Sequence, residues 1–222
     1  MSEFDYKRFS ENFVLQLDSH LVNVSRIKDI DKLFVHLLKK ENHTLDIQDE
    51  RMPYWSDIWP SAIALSKYID ENPKIVQGKK VLELGCGLGM PGIVAAMNGA
   101  VVTMTDYLPE ALMFTKSNWE KNLDIPFNGQ LLDWRNSDKI EKADVILASD
   151  VAYESRSFEP LKAAFKNLLK PDGVLLLTEP NRKFTSPFIE LLKEDFEITK
   201  SDKKIVLDGI NYVVSIYSAC FS

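Results

Sequence analysis

Cysteine and histidine are scarce: the 222 residues contain two cysteines, Cys86 and Cys220, and three histidines. The cysteines show no metal-ligand spacing and fit a reducing cytoplasm, so a cytoplasmic location is expected. The histidines form no H-x-x-x-H or similar array, so no zinc site is expected. Missing too is any apolar run long enough to cross a bilayer, so no membrane partner is expected. The opening "MSEFDYKRFSENF" is polar and mixed in charge, unlike a secretory signal. Basic charge is not in excess: the formal net charge is −6. That balance disfavours a nucleic-acid backbone as the main partner. Long repeats and low-complexity linkers are also lacking. The chain therefore reads as one domain, residues 1–222, with an N-terminal extension over 1–55 and a core over 56–222.

What is present is a regular alternation. In the extension, "FVLQL" and "LVNVSRI" alternate enough to be strands, "LFVHLL" is a third apolar stretch, and "KKENHTLDIQDERMP" reads as a loop. "SAIALSKYIDEN" has helical spacing, with Pro60 as a helix starter. From residue 79 strands and helices take turns. The expected strands are "KKVLELG", "VVTMTD", "GQLLDW", "ADVILASD" and "VLLLTEP". The expected helices are "PGIVAAMNGA", "EALMFTKSNWEKN", "FEPLKAAFKNLLKPDG" and "PFIELLKEDF". The third of these is closed by a Pro-Asp-Gly turn. The middle strands are continuously apolar, the signature of a parallel sheet covered on both faces. "FEITKSDK" and "NYVVSIYSA", with a turn near "LDGIN", predict an antiparallel hairpin at the edge. The fold class is α/β.

Glycine clusters in "ELGCGLGMPG", after the first strand of the alternation. Two registers overlap there. Glu83, Gly85, Gly87 and Gly89 form E-x-G-x-G-x-G, which suggests S-adenosyl-L-methionine (AdoMet). Gly87, Gly89 and Gly92 form G-x-G-x-x-G, which suggests a dinucleotide. In open α/β sheets such loops lie at the carboxyl ends of strands, where cofactors bind. Asp106 ends the next strand, about twenty residues on, where a ribose-binding carboxylate belongs; both cofactors carry that ribose. Glu83 helps to choose: an acid there can attract the ammonium of AdoMet, directly or through water, and would repel a pyrophosphate. Asp133, ending the third strand, could bind the adenine amino group or be a turn acid.

"VLELGCGLG", "VVTMTD", "LLDW" and "ADVILASDVAYE" resemble successive motifs of the class I, seven-β-strand AdoMet-dependent methyltransferases. With the upstream "YWSDIWPSAIALSKYI", they resemble family 16, the METTL21-like group of protein-lysine methyltransferases, over roughly residues 54–180. The resemblance implies a Rossmann-like, mostly parallel sheet of order 3-2-1-4-5-7-6 with helices on both faces. It implies that Trp59 closes over the cofactor and that Gly85, Cys86 and Gly87 lie under its methionine moiety. Asp106 would bind the ribose, Trp134 would flank the adenine, and Ala148 would be a small residue beside the cofactor. Trp55 has no firm match and would pack or line the substrate entrance; Trp119 reads as core.

The resemblance places chemistry in "SDVAYE". A lysine ammonium has no lone pair and must lose a proton before it attacks a methyl group. A carboxylate at Asp150 could orient the amine and favour the charge developing on nitrogen. Tyr153 could supply a second acceptor or a wall of the lysine channel. These two are the candidate catalytic residues. The expected activity is methyl transfer from AdoMet, leaving S-adenosylhomocysteine, to a lysine of a protein substrate. "PYWSDIWP" and "ALSKYIDENP" look most like the branch acting on the electron transfer flavoprotein β subunit, and "PGIVAAMNGAVVT" equally like other METTL21-type enzymes. The alternatives are a small-molecule, nicotinamide-type N-methyltransferase, a nucleic-acid base methyltransferase with a D-P-P-Y-like motif, a NAD-dependent oxidoreductase, and a non-catalytic binding module. "TEPNRKF", residues 178–184, leaves the fifth strand near the expected active face as a substrate-contacting or plain surface loop.

Overall fold

A computed structural model describes residues 5–40, 53–137, 140–182 and 185–222. Its centre is a seven-stranded sheet built from β3 (Lys80–Leu84), β4 (Val101–Asp106), β5 (Gly129–Leu131), β6 (Ala143–Ser149), β7 (Leu169–Glu179), β8 (Phe196–Leu207) and β9 (Ile210–Phe221). The spatial order is β5-β4-β3-β6-β7-β9-β8. Numbered from β3, this is the 3-2-1-4-5-7-6 order expected. β5, β4, β3, β6 and β7 run parallel, and β9 is antiparallel to both β7 and β8. The β8–β9 turn is Asp208-Gly209, with φ +49° and +78°, the left-handed pair that a tight hairpin needs.

The helices are α1 (Ile30–Lys40), α2 (Pro60–Glu71), α3 (Met90–Met97), α4 (Pro109–Asn122), α5 (Phe158–Leu168) and α6 (Ser186–Leu192). α2, α3, α4 and α6 each carry proline in the first turn, where its missing N–H costs nothing. Two apolar layers cover the sheet. Val81, Val145 and Leu147 join the layer of α2, α3 and α4; Leu82, Leu84, Ile146 and Ala148 join that of α5 and α6. The period of two along each strand sorts them.

Three expectations on element bounds need correction. α5 ends at Leu168, and Pro171-Asp172-Gly173 lies within β7. There the β6–β7 register jumps from Ala143↔Leu169 to Val145↔Val174, so the proline-glycine stretch is an irregularity at the start of the strand and does not itself close the helix. β5 is only Gly129–Leu131, exposed throughout, and Asp133 and Trp134 lie beyond it. α6 is Ser186–Leu192, shorter than "PFIELLKEDF". The predicted loop "KKENHTLDIQDERMP" falls mostly on 41–52, outside the described residues.

The extension forms a separate antiparallel hairpin, β1 (Ser10–Gln16) with β2 (Leu21–Ile27), followed by α1. Side chains of α4 join it to the core. Asn118 and Asn122, one helical turn apart, accept from the Ser25 and Asn23 amides at 2.8 Å each and donate back to the same residues' carbonyls at 3.3 and 2.7 Å. Two amide side chains thus continue the strand ladder that β2 would otherwise leave open. Asn118 also donates to Leu88 O at 3.1 Å, inside the glycine loop. At the hairpin turn, the buried Asp70 of α2 meets His20 Nδ1 at 2.6 Å and the Ser19 amide at 3.0 Å. The extension is therefore fastened to the loop that the sequence marks out.

Candidate functional site

A cavity of about 370 Å³ opens at the carboxyl ends of β3, β4 and β6, where open α/β sheets bind ligands. Its floor is the glycine loop. Gly85, Gly87 and Gly89 have φ of +63°, +52° and +82°. A side chain at Gly85 would stand 3.2 Å from Val151 Cγ1 and 3.5 Å from the Trp134 ring, and one at Gly87 would press on the Trp55 backbone at 3.4 Å. Gly92 lies in α3 and serves packing: a Cβ there would be 2.3 Å from Met104 Sδ and 2.6 Å from Glu83 Oε2.

Glu83 is fully buried beneath this loop and does not line the cavity. Its Oε2 accepts from the Gly92 amide at 2.9 Å, while Oε1 is buried without a hydrogen-bond partner. Burial pushes the carboxyl up to about 8, against the pull of the Gly92 amide. The arrangement weighs against a dinucleotide. A pyrophosphate needs free amides at the helix N-terminus. Pro91 has none and that of Gly92 is taken by Glu83, so in the first turn at most Met90 could offer one.

Asp106 lies on the cavity wall, held by the Gly87 amide at 3.1 Å and the Leu108 amide at 3.0 Å. Burial pushes its carboxyl up to about 6, opposed by those amides. Cys86 also lines the cavity. Its thiol sits 3.3 Å from Thr115 Oγ1 and burial holds it firmly protonated. Trp134 lines the wall beside Tyr107. Asp133 caps the short 3-10 turn Trp134–Asn136 through the Arg135 amide at 2.9 Å and takes the Arg135 guanidinium as well. It borders a smaller adjoining cavity of about 120 Å³ instead. Ala148 faces the α5–α6 layer, one residue out of phase with the cavity. Trp119 is core, with its indole N–H on Ile125 O at 2.8 Å. Trp55 is buried against Phe114, with ring centroids 5.1 Å apart, and also lines the cavity.

The mouth combines aromatic rings with acids. Trp59 caps the start of α2 and donates its indole N–H to Tyr54 O at 2.8 Å. Tyr54 stands between Trp59 and Tyr153, with centroids at 6.0 and 5.7 Å. Burial raises the Tyr153 hydroxyl well above its ordinary value, so it stays protonated. Asp57, Asp150 and Glu154 line the same mouth. Asp150 adopts φ +55°, unusual for a residue other than glycine, and its carboxylate is forked to the guanidinium of Arg182. Burial pushes the Asp150 carboxyl up and Arg182 opposes that rise.

Residue-level reading of the sequence did not single out Tyr54, Tyr107, Glu179 or Arg182. Tyr54 was visible as a neighbour of Trp55 in "PYWSDIWP", and Glu179 and Arg182 lay in the suspected "TEPNRKF" loop. Among the described residues no helix is long and apolar enough to cross a membrane, and no acid, histidine and cysteine cluster could hold a metal ion.

Comparison with known proteins agrees with this architecture. A Xenopus tropicalis protein N-lysine methyltransferase, METTL21A, is 30% identical over 191 residues, covering 82% of this chain and 86% of its own. A Dictyostelium discoideum histidine protein methyltransferase 1 homolog is 32% identical over 173 residues, 70% of this chain; the chain spans about half of that relative, 54%. The crystal structure of a TehB-like SAM-dependent methyltransferase from Corynebacterium glutamicum shares the fold, with TM-score 0.56 and 17% identity over 86% of this chain and 97% of that one. The sequence profile of the family described as lysine methyltransferase matches residues 39–195. The chain belongs to this lysine methyltransferase family.

Proposed function

We propose that the protein transfers a methyl group from AdoMet to a lysine side chain of a protein. One observation carries the reading: a single cavity joins the Gly85–Gly87–Asp106 floor to a mouth of aromatic rings and carboxylates. The floor fits the cofactor. Positive-φ glycines leave no Cβ where a ligand would approach, and Asp106 presents an oriented carboxylate for ribose hydroxyls. Gly85, Cys86, Gly87, Asp106, Trp134 and Trp59 would hold it; Glu83 acts from below by fixing the loop through Gly92.

AdoMet supplies an electrophilic methyl group on a sulfonium. The chain supplies position and electrostatics. Tyr54, Trp59 and Tyr153 form walls whose ring faces suit an alkylammonium. Asp150 offers its carboxylate to the incoming nitrogen and stabilises the positive charge that develops there. Tyr153, held protonated, acts as ring wall and hydrogen-bond partner and not as a base. The acids at the mouth and the exposed Tyr54 favour a cationic group presented on a protein surface over a neutral heterocycle.

Two measurements test this. Calorimetric titration with S-adenosylhomocysteine should show binding to the wild type and at least tenfold weaker binding to Asp106→Ala, about 1.4 kcal/mol or more. Absence of binding to a folded wild type sinks the reading. Labelled methyl transfer into lysate proteins should be lost in Asp150→Ala, and hydrolysis of the labelled band should release methyllysine. Release of methylhistidine would instead favour the acceptor named for the Dictyostelium relative.

A further inference from the structure

The cavity mouth already contains a cation. Among the described residues that line it, Arg182 is the sole lysine or arginine. Its Nη2 donates to Asp150 Oδ2 at 2.9 Å while Nη1 donates to Oδ1, a two-point fork. The pair joins two loops that leave the neighbouring strands β6 and β7, and both loops are bent in the same uncommon way. Asp150 has φ +55° and Asn181, next to Arg182, has φ +57°. Among the described residues only one other non-glycine residue has positive φ, Asp208 of the β8–β9 hairpin turn.

Each bend is pinned. The Asp150 amide donates to Thr178 O at 2.9 Å. The Asn181 side chain donates to Val213 O at 3.1 Å, and its carbonyl meets the Ser215 hydroxyl on β9. Strain of this kind persists only where surroundings hold it, and it gathers at functional sites. Here it turns an acid and a guanidinium toward each other across the entrance.

Four other titratable groups belong to the same site. From β7, Glu179 is buried, accepts from the Ala152 amide at 3.4 Å, and is pushed up to about 8 by burial and by Asp150 itself. From its own loop come the Tyr153 hydroxyl and Glu154, and across the cavity lies Asp106. Arg182, by charge and by hydrogen bond, is what favours the charged form of Asp150 against burial. The fork uses one lone-pair site on each oxygen and leaves the outer site on each.

We propose that Arg182 is a positioning residue for methyl transfer: its fork keeps Asp150 charged and aimed across the cavity, with the outer lone pairs free to receive the substrate nitrogen. The proposal rests on the methyltransferase reading above. Removing the guanidinium should let burial raise the Asp150 carboxyl further. The protonated acid would then face the amine with a donor where an acceptor is needed, and the loss would be greatest in acid.

The test uses the full chain with ¹³C-labelled aspartate, the Asp150 carboxyl signal being assigned by its loss in Asp150→Asn. Arg182→Gln and Arg182→Lys are compared with wild type, with thermal unfolding as the control for folding. In Arg182→Gln the Asp150 titration should move up by about one pH unit or more. Labelled methyl transfer into lysate proteins, as a ratio to wild type, should fall as the pH is lowered, by at most about tenfold per unit of that shift, and recover as the pH rises, the rate following the ionised fraction. Arg182→Lys should recover part of both, since it keeps the charge but loses the fork; if the glutamine variant does not fold, this intermediate shift carries the test. An unmoved titration, or a deficit equal at every pH, overturns the proposal. If wild type labels no protein at any pH, the methyltransferase reading and the catalytic half of the proposal fall together. The carboxyl titration then still decides whether Arg182 holds Asp150.

Discussion

Glu83 is a carboxyl with one oxygen on the Gly92 amide and the other buried without a partner, and this predicts how stability depends on pH. Burial moves it from an ordinary 4.5 to about 8. The folded state thus keeps a proton that the unfolded chain releases, so the contribution to stability is full below 4.5 and is lost as pH rises through about 8. Linkage puts the loss at about 1 kcal/mol by pH 5 and about 4 kcal/mol by pH 8. Glu83→Gln keeps the shape and the acceptor for Gly92 but cannot ionise. Its second amide atom inherits the unpartnered position, a constant cost of about 1–3 kcal/mol. A constant offset does not alter the pH dependence. The stability of Glu83→Gln relative to wild type should therefore improve by about 3–4 kcal/mol between pH 5 and pH 8. In a domain of this size that is on the order of 10 °C in Tm, read by a dye-based melt in a series of buffers. Parallel Tm-against-pH curves for the two proteins would show that Glu83 is ionised in the folded state, and would refute the reasoning.

Asn118→Ala should cost about 2–4 kcal/mol in urea unfolding, because it strands the amide and carbonyl of Ser25 and the carbonyl of Leu88 at once. It should also weaken S-adenosylhomocysteine binding in calorimetry, since Leu88 belongs to the glycine loop; unchanged affinity would show that the extension does not support the site. Gly92→Ala should cost at least about 2 kcal/mol, its Cβ meeting Met104 Sδ and Glu83 Oε2 well inside contact distance. Gly78→Ala, with φ +69° and nothing within 4 Å, should cost only about 1 kcal/mol from its backbone. Equal melting losses for the two would refute the packing argument.

The parts of the molecule legible in the sequence are those written along it. β3, β6 and β7 are continuous apolar runs because both faces are covered, and four of the helices carry proline in their first turn. The sheet order followed from the family resemblance and the Asp-Gly hairpin signal. Legibility fails where a side chain's direction depends on a choice between two faces or on a partner far away in the chain. Ala148 sits at the end of the right strand, yet the period of two turns it toward α5 and α6. Glu83 is in phase with Val81 and Leu147 and points to α3, so the acid expected to greet an ammonium instead anchors the helix that follows the loop. Asp133 meets Arg135, two residues on, a local pair that the spacing of the two does not announce.

Arg182 shows the other limit. Nothing in "TEPNRKF" says that Asn181 will adopt a left-handed turn, and Asp150, thirty-two positions earlier, carries no mark of its partner. The link exists because β6 and β7 are adjacent in the sheet and both end at the same mouth. The sequence order of catalytic loops in this fold is thus a poor guide to their pairing, whereas strand adjacency is a good one. Loops after β3, β4, β6 and β7 all converge on one cavity, so a charge on any of them can set the state of an acid on any other. Asp150 is then best understood together with the β7 loop, and a variant there should be judged by the pH at which activity fails as much as by its rate.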